Sequence, residues 1–266
     1  MSGRFKYYGP DEWDAVARSL ERSTGRGDVA GLDTEFYGLG PRGHFDVRKE
    51  STAGGRVGVH LWSVAIKRHP HKLTARGYHI ADTAVLLADS LEHPGLRRWL
   101  ESDAPKVCHN LSVDQHAFAG SGVVLGGAFN TLARARWVWP ERARANGFSL
   151  DSLGLDLLGI GKTDSFVELF SEEVEEQVGV KIERTKMCSC GVEKCRKRKG
   201  HVKTEVVTEI PKMKMVTRRI PLETVFPGHR IWDRAVAYAA RDAWLALAIQ
   251  DRIDREMGKE TPWPWA

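Results

Sequence analysis

The chain lacks any uninterrupted apolar stretch long enough to cross a bilayer, and its opening residues, MSGRFKYYGPDEW, lack the apolar segment of a secretory signal. It also has only four cysteines, and three of them are crowded into 188–195. These absences argue against an integral membrane protein and against a secreted domain held by disulfides. We therefore expect a cytoplasmic protein, without a membrane partner, whose crowded cysteines are suited to binding a metal.

Composition and charge describe an ordinary globular chain with one unusual segment. The 266 residues are 42% hydrophobic and 28% charged, which suits a single domain with a real core. Residues 181–230 hold 14 Lys and Arg against 5 Glu, a net charge of +9, whereas the whole chain carries +5. A basic segment on a mildly acidic body suggests a polyanionic partner, although a solvated charged run would have the same composition.

The order of the predicted elements indicates an α/β fold. An amphipathic helix follows Pro10, and a strand spans 28–36. Two strands in RVGVHLWSVAI and GYHIADT, joined by a hairpin, precede short strands in APKVCHN and VVLGGAFN that alternate with helices. We predict a mixed sheet flanked by helices, forming one domain over 1–266. Residues 171–228 are inserted before the last helix.

The stretch VAGLDTEFYG places Asp33 and Glu35 at the end of a strand of small apolar residues. Residues two apart on a strand share a face, so these carboxylates would lie side by side and repel each other unless a cation lies between them. Hydration at a frayed strand end is the alternative.

Two further stretches carry candidate polar residues. In CHNLSVDQHAF, Asn110 and Asp114 lie where a strand gives way to a helix; a helix cap and a surface acid are the alternative interpretation. In AVAYAARDAWLALA, Tyr238 and Asp242 are spaced i, i+4 and share a helix face, as a simple surface pair also would.

Together, the three stretches resemble the DEDD superfamily of 3′–5′ exonucleases, and the tyrosine before the last aspartate matches its DEDDy branch. The resemblance covers roughly 25–170 and 228–255. It extends to SLDSLGLDLLGIGKT and is most similar to the proofreading domain of DNA polymerase I. The chain departs from the family pattern at Asn130-Thr131, where relatives often have an aspartate before the threonine, and in the loop at 38–56 and the insertion.

The resemblance implies an RNase H-like mixed five-stranded sheet and hydrolysis of phosphodiester bonds with two Mg²⁺ or Mn²⁺ ions. Asp33 would bridge both metals, with Glu35 and Asp242 completing the first site. Asp114 would hold the second mainly through water, and Asn110 would support that site or the terminal nucleotide. Tyr238 would orient the attacking water.

The implied substrate is the 3′ end of DNA, with proofreading for a separately encoded polymerase as one expected role. An RNase D-like exoribonuclease is the first alternative. An inactive nucleic-acid-binding module is the second. The intact carboxylate set argues against the inactive module, because clustered acids that bind no metal cost stability.

The insertion contains CSCGVEKCRKRKGH, which brings four potential zinc ligands within 14 residues: Cys188, Cys190, Cys195 and His201. A small module with little core gains folding free energy from one structural Zn²⁺, although free thiols on an extended segment are the alternative. The basic run between the third and fourth ligands is expected to bind the phosphate backbone: Arg196, Lys197, Arg198 and Lys199. The fourth cysteine of the chain, Cys108, is predicted to be a small buried hydrophobe.

Overall fold

The computed structural model describes residues 5–37, 57–67, 81–144, 147–162, 164–188 and 203–258. The chain divides into two compact units. Residues 1–169 and 221–266 form one unit, called the body, and residues 170–220 form the other, called the hairpin unit. None of the helices among the described residues is both long and apolar enough to cross a membrane.

The body contains a mixed sheet of six strands. They are β1 (Phe5–Tyr7), β2 (Ala30–Tyr37), β3 (Gly58–Lys67), β4 (Ala81–Leu87), β5 (Lys106–Cys108) and β6 (Ala128–Asn130). The order across the sheet is β1-β4-β3-β2-β5-β6. Strand β3 runs antiparallel to both β2 and β4, and the other pairs are parallel. This confirms the mixed α/β class.

One detail of the sheet differs from the sequence-based expectation. The sheet has a sixth strand, because β1 pairs in parallel with β4 along its outer edge. Three residues with one polar member give too little alternation to predict a strand. Of the strand expected in GYHIADT, residues 81–83 belong to β4, and the rest of that stretch lies outside the described residues.

Helices cover both faces of this sheet. They are α1 (Trp13–Gly25), α2 (Pro94–Glu101), α3 (Leu111–Gly120), α4 (Thr131–Val138), α5 (Leu150–Leu153), α6 (Phe166–Leu169) and α7 (Trp232–Glu256). A π-helical turn, Gly154–Leu158, continues α5. Local chemistry explains where two of these helices begin. Pro94 occupies the first turn of α2, and the Ser149 side chain accepts a hydrogen bond from the Ser152 N–H at the start of α5.

Strand β2 separates two hydrophobic cores because its side chains alternate. Ala30 and Leu32 pack in the core that includes α1, α2 and α3. Val29, on the other face, packs in the core formed with α7 and α5. By the same alternation Gly31, Asp33 and Glu35 face α7. The strand therefore presents its two carboxylates to the long helix.

A glycine sets the close approach of β2 and α7. A Cβ atom at Gly31 would collide with the carbonyl oxygen of Ala243 and with Leu247. The missing side chain lets the helix backbone lie directly against the strand. Ser63 on β3 fastens the same helix, because its hydroxyl donates to the Ala239 carbonyl at 2.8 Å. These contacts bring the centre of α7 to the end of β2.

The hairpin unit consists of two long antiparallel strands, β7 (Ser171–Cys188) and β8 (Lys203–Arg219). They form a two-stranded sheet. The register shifts between Gln177 and Gly179, where a bulge leaves Val178 without an opposite residue. The strand segments expected in VVTEI and MKMVTRRI belong to β8.

Candidate active site

Three carboxylates from β2 and α7 converge at one point of the body. Ligand oxygens of Asp33, Glu35 and Asp242 all lie within 4.8 Å of one another. Glu35 and Asp242 are buried, and Asp33 is partly buried and lines a pocket. The positions follow from the sequence, because Asp33 and Glu35 share a strand face and the glycine at 31 admits the helix that carries Asp242.

Asp114 lies beside this cluster without belonging to it. It projects from α3, on the opposite side of the sheet, and its Oδ1 accepts a hydrogen bond from the Thr34 hydroxyl at 2.8 Å. Thr34 points away from the face shared by its two acidic neighbours, so it connects β2 to α3. The fourth expected acid is thus held near the strand end from the other layer.

Burial raises the pKa of all four acids, and repulsion from neighbouring acids adds to it at Asp33, Glu35 and Asp114. Burial raises the pKa of Asp33 and Glu35 well above the ordinary values, and the charge of Asp242 raises both further. Burial also raises the pKa of Asp114 to about 7, against the opposing effect of the Thr34 hydrogen bond. The pKa of Asp242 is raised by burial despite the nearby Lys162 ammonium. Protons therefore bind to the carboxylates of this cluster more tightly than they bind to isolated carboxylates.

The cluster has the donor set of a divalent cation site. Asp33 Oδ2 and Asp242 Oδ1 are buried and have no hydrogen-bond partner among the described residues. Buried carboxylate oxygens normally have partners, so two of them in one cluster indicate a ligand. Ligands that are all oxygen favour Mg²⁺ or Mn²⁺ over softer metals. The residues present therefore fit the metals expected from the sequence.

A lysine that the sequence did not single out completes the cluster. Lys162 Nζ pairs with Asp242 Oδ2 and donates to the Tyr238 hydroxyl at 2.9 Å. Burial lowers the pKa of Lys162, but the charges of Asp242, Asp33 and Glu35 outweigh it, so the pKa is raised. The lysine is held in place because its backbone N–H donates to Asp151 Oδ1 at 2.6 Å.

Lys162 had only a weak signal in the sequence. It belongs to GIGKT, the end of a stretch quoted for its family resemblance, but no spacing relates it to Tyr238 or Asp242. Its placement depends on the π-helical turn and on Gly161, where a Cβ would collide with Asp151 and Leu155. A lysine after two closely spaced glycines, just beyond a helix, was the only available cue.

Tyr238 lies one turn before Asp242 on α7 and is buried. Its ring centroid lies 4.7 Å from the Lys162 Nζ. Burial, followed by the charges of Glu35 and Asp242, raises the pKa of the hydroxyl, so it stays protonated at neutral pH. The phenol is therefore a neutral group at the mouth of the acidic cluster and lines the pocket.

Asn110 adopts an unusual backbone conformation. It is the only non-glycine among the described residues with a positive φ, at 66°, and precedes α3 without a side-chain capping bond. The alternative that Asn110 caps this helix through its side chain is thus wrong. Left-handed backbone at a non-glycine residue is frequent at functional sites, and Asn110 lines the pocket.

The Asn130-Thr131 pair, where the sequence departs from the family pattern, has a structural role. The Asn130 Oδ1 accepts from the Leu132 N–H at 3.0 Å and caps α4. His109 Nδ1 lies 3.0 Å from the Thr131 hydroxyl, and its Nε2 lies 2.9 Å from the Phe148 carbonyl. Burial lowers the pKa of His109 to about 4, so the neutral ring donates to the carbonyl and accepts from the hydroxyl. This chain of bonds supports one wall of the pocket.

The pocket itself has a volume of about 1000 Å³. Its lining includes five carboxylates, namely Asp33, Asp151, Asp164, Glu168 and Asp242. Two strongly basic side chains, Arg136 and Lys162, also line it. An excess of acidic groups repels a bare phosphate, so a polyanion entering the pocket requires bound cations.

The structure describes few of the predicted zinc and nucleic-acid ligands. Cys188, the last residue of β7, is buried. Cys190, Cys195 and His201 lie outside the described residues, as do the basic residues 196–199. Cys108 is fully buried in the body, as expected of a small hydrophobe, and burial raises its pKa.

No protein-family model matches this chain. No curated protein sequence matches it. Among solved structures, the POL domain of Pol1 from M. smegmatis, in complex with DNA primer-template and dNTP, is 20% identical with a TM-score of 0.40. The match covers 59% of this chain and 23% of that one. The chain thus spans about a quarter of the length of Pol1.

Two further structural neighbours cover more of their own chains. NrnC from Brucella melitensis, bound to pGG, is 14% identical with a TM-score of 0.46, and the match covers 97% of this chain and 82% of NrnC. The EXD2 exonuclease domain soaked in Mn is 17% identical with a TM-score of 0.33, over 62% of this chain and 72% of that domain.

Proposed function

We propose that this chain is a DEDDy-type 3′–5′ exonuclease that removes nucleotides from DNA 3′ ends. The observation that carries the proposal is the cluster of Asp33, Glu35 and Asp242, with unpartnered buried oxygens on two of the three and Tyr238 one helical turn away. Buried acids that repel one another cost stability, so their convergence favours a site that binds cations.

Each residue of the site has a role in this proposal. Asp33, Glu35 and Asp242 hold a divalent metal, and Asp114 supports a second. When bound, these ions lower the pKa of water and stabilise the leaving oxygen of a phosphodiester. The Tyr238 hydroxyl, kept protonated by its raised pKa, orients the attacking water. Lys162 fixes the positions of Tyr238 and Asp242 by donating to both.

The pocket walls bind the end of the strand. Asn110 contacts the terminal nucleotide from its fixed left-handed backbone. Arg136 lies with its guanidinium carbon 5.8 Å from the Phe148 ring centroid, which places a cation and an aromatic face together on one wall. Such a pair contacts a phosphate and the face of a base without reading sequence.

The test is digestion of single-stranded DNA and RNA of the same sequence, labelled at the 5′ end, with Mg²⁺, with Mn²⁺ or with chelator. We expect a ladder that shortens from the 3′ end on DNA in the presence of either metal. Faster digestion of RNA would assign the exoribonuclease alternative. No digestion of either strand, with binding retained, would leave a binding module and contradict the proposed activity.

We further propose that the insertion binds one structural Zn²⁺ through Cys188, Cys190, Cys195 and His201. The basic run 196–199 would then be an ordered loop that binds the phosphate backbone. Neutralising its four cations should weaken DNA binding and flatten the salt dependence by about 0.7 per lost contact on single strands. Cys190→Ser should lose zinc and reproduce the defect. Zinc-free protein whose four-cation variant keeps the original salt slope would refute this assignment.

Proofreading in trans for a polymerase is the role that we propose for a DNA-specific activity. It predicts faster removal of a mispaired 3′ nucleotide than of a paired one, because unpaired ends enter a single-strand pocket at lower cost. Equal rates on matched and mismatched primer ends would count against it.

A further inference from the structure

The two carboxylate oxygens of Asp242 have different surroundings. Oδ2 pairs with the Lys162 ammonium. The Tyr238 hydroxyl also hydrogen-bonds to Asp242. Because Oδ1 has no hydrogen-bond partner among the described residues, this second bond is made to Oδ2 as well. One oxygen of the buried carboxylate therefore has two donors, and the other has none.

The oxygen without a donor belongs to the site for the divalent ion. Asp33 Oδ2 is likewise buried and has no partner among the residues that the structure describes. Ligand oxygens of Asp33, Glu35 and Asp242 lie within 4.8 Å of one another. A buried carboxylate oxygen that lacks a donor is suited to a cation. The ion and the lysine thus have different oxygens of Asp242 available to them.

Lys162 has contacts that do not depend on Asp242. Its Nζ donates to the Tyr238 hydroxyl at 2.9 Å and lies 4.7 Å from the centroid of that ring, a distance typical of a cation–π contact. Its backbone N–H donates to Asp151 Oδ1 at 2.6 Å. These contacts favour retention of the lysine on Oδ2 when an ion binds to Oδ1.

We propose that Lys162 sets the metal selectivity of the cluster by occupying Asp242 Oδ2, so that Asp242 offers one oxygen to a divalent ion. The inference rests on the proposed function, because it concerns the metal site assigned there. Mg²⁺ demands near-ideal octahedral geometry, whereas Ca²⁺ takes about six to eight oxygens and can take both from one carboxylate. A carboxylate limited to one oxygen therefore favours Mg²⁺ over Ca²⁺. Mn²⁺, which also suits octahedral oxygen sites, should behave like Mg²⁺.

The charge and the hydrogen bond of Lys162 act differently on the two ions. Loss of the positive charge strengthens the binding of Mg²⁺ and Ca²⁺ alike, since both ions carry the same charge. Loss of the donor leaves Oδ2 without a partner, and only the ion that can take both oxygens of a carboxylate gains from it. The ratio of the two affinities therefore cancels the effect of charge and isolates the effect of the donor.

The experiment compares the binding of Mg²⁺, Mn²⁺ and Ca²⁺ to the full chain at one pH, in the absence of nucleic acid. The affinity for each ion follows from the rise of the thermal unfolding midpoint over a concentration series of that ion. In Lys162→Met the affinity for Ca²⁺ should rise about tenfold relative to that for Mg²⁺, since partners that hold a metal ligand commonly alter metal binding by ~10–100-fold. The affinity for Mn²⁺ should follow that for Mg²⁺.

Lys67→Met is the matched control. Lys67 Nζ lies 2.7 Å from Asp251 Oδ1, on the helix that also carries Asp242, and the two side chains are 14% and 7% exposed. The substitution thus removes a similarly buried lysine–aspartate pair that lies outside the acidic cluster. Its ratio of Ca²⁺ affinity to Mg²⁺ affinity should equal that of the wild type.

The outcomes separate this inference from the proposed function. A wild-type chain that binds none of the three ions would contradict both. If the wild type binds them, an unchanged ratio in Lys162→Met, or the same rise in Lys67→Met, would overturn the inference alone. A rise confined to Lys162→Met would support the inference whatever the nuclease activity, because no substrate is present.

A crystal structure of the wild-type chain soaked in Mn²⁺ tests the same point without a variant. We expect Lys162 to remain paired with Asp242 Oδ2 and the ion to lie against Oδ1. An ion that contacts both oxygens of Asp242, with the lysine displaced, would overturn the inference even if Lys162→Met fails to fold.

Discussion

The body and the hairpin unit violate the usual distribution of polar and apolar groups in opposite directions. At its candidate site the body buries Glu35, Asp114 and Asp242, and it buries Asp33 in part. The hairpin unit exposes seven large apolar side chains. Each violation costs free energy in the isolated chain, and each is relieved by a different kind of ligand. A bound cation would neutralise the buried charge, and contact with another molecule would cover the exposed apolar side chains.

Removal of one acid from the cluster should have the largest effect on the body. Asp33→Ala should abolish metal-dependent nuclease activity and leave the metal-free body as stable as before or slightly more so, because it relieves repulsion. Digestion assays and thermal unfolding with chelator measure the two effects. Asp103→Ala, at an exposed acid, is the control. Full activity of purified Asp33→Ala would end the metal-site interpretation.

Removal of the Tyr238 hydroxyl should have the next largest effect on the body. Tyr238→Phe should lower the rate by about 10²–10⁴-fold, the usual contribution of proton positioning in the transition state. Metal binding, followed by thermal shift, should persist because the four acids remain. Tyr7→Phe, at a ring that packs edge-on against Trp232 outside the site, should be silent. An unchanged rate in Tyr238→Phe would leave the tyrosine with a packing role only.

Substitution of Lys162 tests whether the stability of the acidic cluster depends on a nearby positive charge. Its side chain is 23% exposed and its partner Asp242 is 5% exposed, so the pair is largely buried. Lys162→Met should destabilise the metal-free body by about 2–4 kcal/mol, since Asp242 loses the lysine with which it forms an ion pair. Saturating Mg²⁺ should reduce the deficit, as measured by thermal unfolding. A deficit that Mg²⁺ does not change would mean that Lys162 acts independently of the metal ligands.

The pH dependence of stability gives a smaller effect. Folding raises the pKa of Asp114 to about 7 and raises those of Asp33 and Glu35 as well, so the folded body binds more protons than the unfolded chain above pH 4. In chelator, stability should therefore rise as pH falls from 7 toward 5, by up to about 1.4 kcal/mol per pH unit for each extra proton. Denaturant unfolding at several pH values measures it, and Mg²⁺ should flatten the trend. A flat profile in chelator would contradict the raised pKa values.

Removal of the hairpin should have the smallest effect on the body. The Ile220 N–H donates to the Phe170 carbonyl at 2.9 Å, so a short turn can replace residues 171–219. The shortened chain should keep its Mg²⁺-dependent thermal shift and its rate on saturating DNA. Loss of the thermal shift would show that the two units are not energetically separate.

The sequence predicted those parts of the site that depend on local periodicity. Asp33 and Glu35 follow from strand alternation, and Tyr238 and Asp242 from helical spacing, so their shared faces were readable from the chain. The α/β class followed from the order of elements and is confirmed. Residues 189–202 lie outside the described ranges, so the zinc ligands there remain a prediction.

The rest depends on contacts between elements. Lys162 and Thr34 acquire their roles from packing, and no local pattern encodes a hydrogen bond to a residue on another element. The first strand, Phe5–Tyr7, is too short to show a period, and it exists because the edge of β4 accepts it. The alternative that Asn110 caps α3 through its side chain could not be excluded from the sequence, and the structure excludes it because that residue has a left-handed backbone and makes no side-chain capping bond.

The close approach at Gly31 also fixes when the site can form during synthesis. Asp33 and Glu35 leave the ribosome about 200 residues before Asp242, an interval of about 10–40 s at ordinary elongation rates. Until α7 emerges and packs on the strand, the nascent chain has neither the third carboxylate nor the tyrosine. Contacts of such long sequence separation form late, after local elements such as the hairpin. The proposed metal site is therefore incomplete until α7 has been translated and has packed on β2.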